Sequence, residues 1–332
     1  MKLISQKDKI FIAGASGMVG NAIKLKLYNS GYTNLITPSR KELELTNTKL
    51  VFDWFKKNNP DIVIIAAAKV GGIYANNTFP VDFLLDNLKI QNNIIEAAWK
   101  NDVKRLLFLG SSCIYPKNST QPIKEEELLK SSLEKTNEWY ALAKISGIKL
   151  CQALRKQYGF DAISLMPTNL YGKGDNYHKS NSHVLPALLD RFHFHKVDKK
   201  QIIKCWGSGN PRREFMHVDD LAEASIFVLE KWDPNKNGAP LDESGNPLTW
   251  LNVGTGKDIT IKKLAEMIAK VTSYDGEIIW DINKPDGTSQ KLLDISKLKQ
   301  LGWNSKIELG DGLDITYKQY KKELREKTLR AK

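Results

Sequence analysis

Tyr140 and Lys144, in "EWYALAKIS", stand four residues apart, so a helix carries them on one face. A lysine ammonium beside a phenol favours the phenolate and lowers its pKa, which fits a tyrosine to exchange a proton with a carbonyl or alkoxide oxygen near neutral pH. Ser111, in "LGSSCIYP", ends an apolar run about thirty residues upstream and could give the same oxygen a second hydrogen bond. Near the N-terminus, "FIAGASGMVGNAI" sets Gly14, Gly17 and Gly20 directly after an apolar run and at the start of a helix-like segment. The G-x-x-G-x-x-G spacing permits a tight turn, close backbone approach to a pyrophosphate and close helix packing, with helix N-terminal amides facing the anion. Carbonyl chemistry with a bound dinucleotide is what this set could perform.

The end of the second strand selects the dinucleotide. NAD enzymes place Asp or Glu there for the ribose hydroxyls, whereas "ITPSRKELEL" offers Ser39 and Arg40, and an arginine can pair with a 2′-phosphate. NADP(H) is the expected cofactor. The competing reading is an exposed arginine that opens a helix with Glu42 and Glu44.

The elements that must position these groups are legible from periodicity. Short β-branched or Leu-rich runs at 9–13, 35–37, 62–66, 106–109 and 162–166 read as strands. Between them, "VGNAIKLKLYNSG" and "FLLDNLKIQNNIIEAAWKN" return apolar residues every three or four positions, as helices do. Repeated strand and helix predict an α/β fold, a Rossmann doubly wound parallel sheet covered on both faces. After "NLYGKGDN" the alternation breaks. "EFMHVDDLAEASIFVLE" and "TWLNVGTG" read as a strand, a helix and a strand of the parent sheet. The expected organisation is a dinucleotide-binding domain over 1–172, rejoined at about 214–256, with a smaller discontinuous substrate domain from 173–213 and 257–325. The C-terminal "KKELREKTLRAK" reads as a basic helix.

Composition narrows the class. With 332 residues, 41% hydrophobic and 27% charged, the chain is expected to fold into one large or two interleaved domains. Its +12 charge, from 50 Lys and Arg against 38 Asp and Glu, is spread along helix-like segments and reads as solvated surface. No basic tract is interleaved with aromatics, so no nucleic-acid partner is expected. The N-terminus lacks a signal-like apolar core and no run is long enough to span a bilayer, which predicts a cytoplasmic protein without a membrane partner. Cys113, Cys151 and Cys205 are odd in number and never form Cys-x-x-Cys, so reduced thiols and no structural zinc are expected. His193 and His195 lack a further ligand at metal spacing, and no metal site is expected.

Together "GASGMVG", "GSSCIYP" and "YALAK" resemble the extended short-chain dehydrogenase/reductases. "AAAKVGGIYANN", "LLFLGSSCIYPK", "MPTNLYG", "SNSHVLPALL", "WGSGNPRREFMHVDD" and "KPDGTSQKLLD", over roughly residues 8–320, resemble in order the GDP-L-fucose synthase family. That resemblance implies NADPH-dependent epimerisation at C3 and C5 and reduction at C4 of GDP-4-keto-6-deoxy-D-mannose. It implies cofactor contacts from Gly14, Ala15, Ser16, Gly17, Met18, Val19, Gly20, Ser39, Arg40, Leu109, Gly110, Lys144, Pro167, Thr168, Asn169, Leu170 and His183. Many bacterial members carry "GHRGMVG" at the turn; Ala15 and Ser16 here remove two possible cofactor contacts. By the same resemblance, Arg191, Trp206, Arg213 and Asp286 contact substrate, although Arg212 leaves open which arginine reaches phosphate. Helices over 82–100 and 139–158 imply a homodimer.

A 4-ketone acidifies both neighbouring carbons, because the carbanion delocalises into an enolate. Inversion needs an acid and a base beyond the serine, tyrosine and lysine committed to the ketone oxygen. Cys113, two residues past Ser111, shares its face if the segment is extended, and His183 arrives from the second domain. The resemblance makes them the acid/base pair, and a thiol of reference pKa about 8.5 suits that task. Two rivals remain: a reductase of another GDP-4-keto sugar, such as a 6-deoxyheptose, and an idle NADP-binding scaffold.

Overall fold

In the computed structural model, which describes residues 2–179, 181–284 and 286–331, β1 (Ile10–Ala13) enters the glycine turn and α1 (Met18–Asn29) leaves it. There follow β2 (Leu35–Ile36), α2 (Thr48–Asn58), β3 (Ile62–Ile65), α3 (Ile73–Thr78), α4 (Pro80–Lys100) and β4 (Arg105–Leu109). The long α5 (Glu138–Tyr158) leads to β5 (Ala162–Pro167) and β6 (Asn169–Tyr171). Next come α6 (Val184–Val197), β7 (Ile202–Trp206), β8 (Arg212–His217), α7 (Val218–Lys231) and β9 (Trp250–Val253). The chain closes with β10 (Asp258–Thr260), α8 (Ile261–Thr272), β11 (Glu277–Asp281), β12 (Gln290–Lys291), α9 (Ser296–Gln300) and α10 (Leu309–Arg325).

The main sheet is parallel, in the order β2-β1-β3-β4-β5-β9. Its strands are apolar on both faces because both are covered. Ile10 and Ile12 join a core with Ile23 and Leu27 of α1 and Leu221 and Leu229 of α7. Phe11 and Ala13 join the opposite core with Phe55 of α2, Ile94 of α4 and Ile148 of α5. Each large side chain so buried contributes about 1.5–3 kcal/mol relative to exposure. Winding reverses at β1, which has β2 on one side and β3 on the other. A crevice therefore opens beyond the carboxyl ends of β1 and β3, where the glycine turn lies.

The strand in "EFMHV" departs from expectation. β8 stays out of the main sheet and pairs with β6 and β12 in parallel and with β10 antiparallel. Its charged Arg212, Arg213 and Glu214 are unsuited to a strand covered on both faces. Only α7, packed on α1, and β9, paired with β5, return to the main layers. A separate core gathers Leu189 and Phe192 of α6, Leu264 and Ile268 of α8, and Leu313 and Tyr320 of α10. The C-terminal helix also stops short: after Arg325, Lys327 takes φ 56° and Thr328 donates its amide to Glu323 at 2.9 Å, so the chain doubles back.

Candidate functional site

Beyond β4 the backbone of Ser111 is extended, and Ser112–Ile114 then form a 3-10 turn. The Ser111 hydroxyl caps it, accepting from the Cys113 amide at 3.3 Å. This corrects the extended segment expected here: Ile114 is fully buried and pulls the chain inward. The following Tyr115 is buried too and donates its hydroxyl to Asn252 Oδ1 at 2.6 Å, fastening the turn to β9. Cys113 remains half-buried and free. Although the i, i+2 argument does not apply in such a turn, Cys113 still lies within electrostatic reach of both Tyr140 and Lys144.

α5 presents Tyr140 and Lys144 together. The Lys144 ammonium donates to the Leu109 carbonyl at 2.8 Å and lies 4.7 Å from the Phe108 ring centroid and 5.8 Å from that of Tyr140. Burial pushes its pKa down to about 7. The Tyr140 pKa is raised, first by burial and then by Cys113, against the lowering effect of the Ser111 hydroxyl. The expectation of a lysine-stabilised phenolate is thus corrected. Lys144 spends its contact on Leu109, and desolvation of the phenol dominates. A protonated tyrosine is the form that donates to an oxygen gaining electrons.

The glycine turn passes a geometric test for a dinucleotide. Gly14 has φ 86°, and a Cβ there would stand 2.6 Å from the Ala67 nitrogen. A Cβ on Gly20 would collide with the Gly14 carbonyl. Gly17 caps α1 without any side-chain bond, and the first turn, from Met18 and Val19, holds no acidic residue. Its amides are therefore open to an anion. Ala15 is buried and Ser16 exposed. Leu109 ends β4 and Gly110 follows it, Pro167 ends β5, Thr168 links it to β6, and Asn169 and Leu170 begin β6. Thr168 and Asn169 both donate to the Glu214 carbonyl, at 3.3 and 2.8 Å. Ser39 and Arg40 are exposed beyond β2, and Arg40 pairs with Glu44 at 2.7 Å.

His183 caps α6 and stands open to solvent, while protein around its ring disfavours the cation and lowers its pKa. Its segment is tied to the loop after β3 by the Gly72 amide, which donates to the Asn181 carbonyl at 3.0 Å. Asn87 clamps that loop through both the amide and the carbonyl of Lys69. Among the proposed substrate contacts, Arg191 donates to the Lys204 carbonyl at 3.0 Å. Trp206 is 70% exposed on β7. Asp286 accepts from the Ser208 amide and hydroxyl at 2.9 and 2.6 Å, which fixes the turn beside Trp206. Arg212 is engaged by Asp258 at 2.7 Å, whereas Arg213 donates to the Arg212 carbonyl at 2.7 Å, and burial lowers its pKa against the opposing fields of Asp286 and Glu134. Of the sequence blocks above, Ser180 and Pro285 lie outside the described residues.

Glu214 escaped the sequence reading. Fully buried, it accepts the amides of Thr255, Gly256 and Leu293 at 2.6, 2.7 and 3.1 Å, and so fixes the strand that carries Arg213. The available signal was a carboxylate inside "REFMH", a strand otherwise turning apolar. Among the described residues, no group of three or more His, Cys, Asp or Glu side chains is placed to hold a metal ion.

Comparison with known proteins follows the same lines. The family described as "NAD dependent epimerase/dehydratase family" matches residues 10–241. GDP-L-fucose synthase 1 of Arabidopsis thaliana is 54% identical over 314 residues, 95% of this chain and 93% of that protein. GDP-L-fucose synthase of Escherichia coli (strain K12) is 52% identical over 314 residues, 95% of this chain and 97% of that one. Among solved structures, GDP-mannoheptose C4 reductase from Campylobacter jejuni with NADP bound has a TM-score of 0.83 at 36% identity, covering 96% of this chain and 99% of its own.

Proposed function

The chain belongs to the NAD dependent epimerase/dehydratase family and, within it, to the GDP-L-fucose synthases, and from that membership we propose how its residues act. Its reaction is the NADPH-dependent 3,5-epimerisation and 4-reduction of GDP-4-keto-6-deoxy-D-mannose to GDP-L-fucose. The observation that carries the reading is the joint placement of Ser111, Cys113, Tyr140 and Lys144, which gives one site both a ketone-oxygen donor and a separate thiol.

The glycine turn and the first turn of α1 would hold the dinucleotide phosphates, Leu109, Gly110 and residues 167–170 would line its course, and Arg40, now paired with Glu44, would serve the 2′-phosphate. NADPH bound there would supply the hydride for C4. Cys113 and His183 lie on opposite faces of the sugar ring: one removes the proton at C3 or C5 to give the enolate, and the other returns a proton to the opposite face. Ser111 hydrogen-bonds the C4 oxygen through both inversions and stabilises the enolate charge. In the final step Tyr140 donates its proton to that oxygen as hydride arrives at C4. Lys144, held by the Leu109 carbonyl, positions the tyrosine face of α5. Arg213, with Arg191, receives the diphosphate, and Trp206 and Asp286 border the GDP end.

In this reading residues 1–172 with 218–256 serve the cofactor, and 173–217 with 257–325 close over the sugar. α4 and α5 leave Val81, Leu85, Leu142 and Tyr158 exposed; a second copy of the chain covers them in a homodimer. The reduced thiol required of Cys113 fits the cytoplasm, and no described helix is long and apolar enough to cross a membrane. The test is loss of NADPH absorbance with GDP-4-keto-6-deoxy-D-mannose, followed by NMR of the product. GDP-L-fucose supports the reading; an unepimerised 6-deoxy product, or no turnover, rejects it.

A further inference from the structure

The end of the chain returns to the glycine turn. The Nη1 atom of Arg330 lies 3.9 Å from the point where a Cβ on Gly17 would stand. This is the face of the turn that a missing side chain leaves open. No residue from Ala13 to Ile23 carries a charge, and a helix N-terminus supplies only about half an elementary charge. A pyrophosphate seated on this turn would otherwise meet dipoles alone.

The tail that brings Arg330 here is anchored at successive points. Lys327 reverses the chain after α10, and Thr328 donates its amide back to Glu323 at 2.9 Å. Leu329 packs against the core of α6, α8 and α10. The Arg330 carbonyl then accepts the Tyr177 amide at 2.8 Å. The loop that carries Tyr177 touches the same turn, since a Cβ on Gly174 would stand 3.8 Å from Met18 Cα. Within that loop the buried Asp175 feels the Arg330 charge, and its Oδ2 has no partner among the described residues.

We infer that Arg330 is the cation of the pyrophosphate seat, supplied from the far end of the chain, so that the C-terminal tail is part of the cofactor site. The inference rests on the dinucleotide reading above. It gives the tail a fixed job: the guanidinium forms charge-assisted hydrogen bonds to the pyrophosphate oxygens while Met18 and Val19, in the first turn of α1, offer their amides from beneath.

The experiment is fluorescence titration of the full chain with NADPH and with NADH, for wild type, Arg330→Ala, Arg330→Lys and Arg40→Ala. Arg330→Ala should raise the Kd for both dinucleotides by about tenfold or more, with a shallower dependence on salt, and Arg330→Lys should restore part of the loss. Arg40→Ala should weaken NADPH alone. Loss confined to NADPH in Arg330→Ala would overturn the assignment to pyrophosphate, as would unchanged or tighter binding, the latter marking the tail as a plug. Failure of the wild-type chain to bind either dinucleotide would overturn the cofactor reading together with this one.

Discussion

The Ser111 hydroxyl accepts the Cys113 amide at 3.3 Å, so one short turn fixes both the hydroxyl aimed at the ketone oxygen and the thiol beside it. Movement of one is movement of the other. That coupling suits a site which must keep the C4 oxygen stationary while protons leave and return at its neighbours. It also separates the functions: the Ser111 hydroxyl favours ionisation of Tyr140, while Cys113 is a distinct group within the field of both Tyr140 and Lys144.

Tyr140→Phe should lower reduction about a hundredfold or more, because the proton for the C4 oxygen is lost, while enolisation continues. NADPH consumption should fall and deuterium uptake from heavy water into the substrate should persist. Equal loss of both would assign Tyr140 to enolisation as well.

Cys113→Ser keeps the size and removes the thiol acidity. Deuterium uptake and epimerisation should fall about a hundredfold, with NADPH still bound at wild-type affinity. Full exchange at both carbons in this variant would remove Cys113 from the acid/base pair.

Arg213→Ala should raise KM for the GDP sugar by about tenfold or more with little change in NADPH affinity, since a charge-assisted bond to diphosphate is lost. Arg212→Ala should leave KM near wild type, because Arg212 is already occupied by Asp258. Steady-state kinetics of the pair decides between the adjacent arginines, and the opposite pattern would exchange their roles.

Burial pushes the Asp175 carboxyl up to about 7. Its folded pKa lies above the unfolded value, so the folded chain binds the extra proton between about pH 4 and pH 7. The associated stability is full below that window and is lost as pH rises through it. Asp175→Asn mimics the neutral acid at every pH. Relative to wild type it should gain stability between pH 5 and pH 8, on the order of 2 kcal/mol, as read by urea unfolding at the two pH values. A difference that does not change with pH would show that Asp175 does not titrate in this window.

Much of this arrangement was legible because local pattern encoded it. The apolar runs at β1 and β3, the glycine spacing and the Tyr140–Lys144 interval each depend on neighbours within a few residues. Groups missed or misread depend on partners far away in the chain. Glu214 is explained only by amides at 255, 256 and 293. β8 follows its pairing with β6, β10 and β12. The raised Tyr140 pKa reflects burial by the assembled fold, which a four-residue interval does not report. The 3-10 turn at Cys113 arises because Ile114 has a core to enter. Arg330 reads locally as part of a basic helix, and its anchor is the amide of Tyr177, far away in the chain.

The most direct test of one site performing both enolisation and reduction is a wild-type turnover in heavy water with NADPH and GDP-4-keto-6-deoxy-D-mannose, with the product read by NMR. The account predicts GDP-L-fucose carrying deuterium at both C3 and C5. A reduced product with protium retained at either carbon would contradict it.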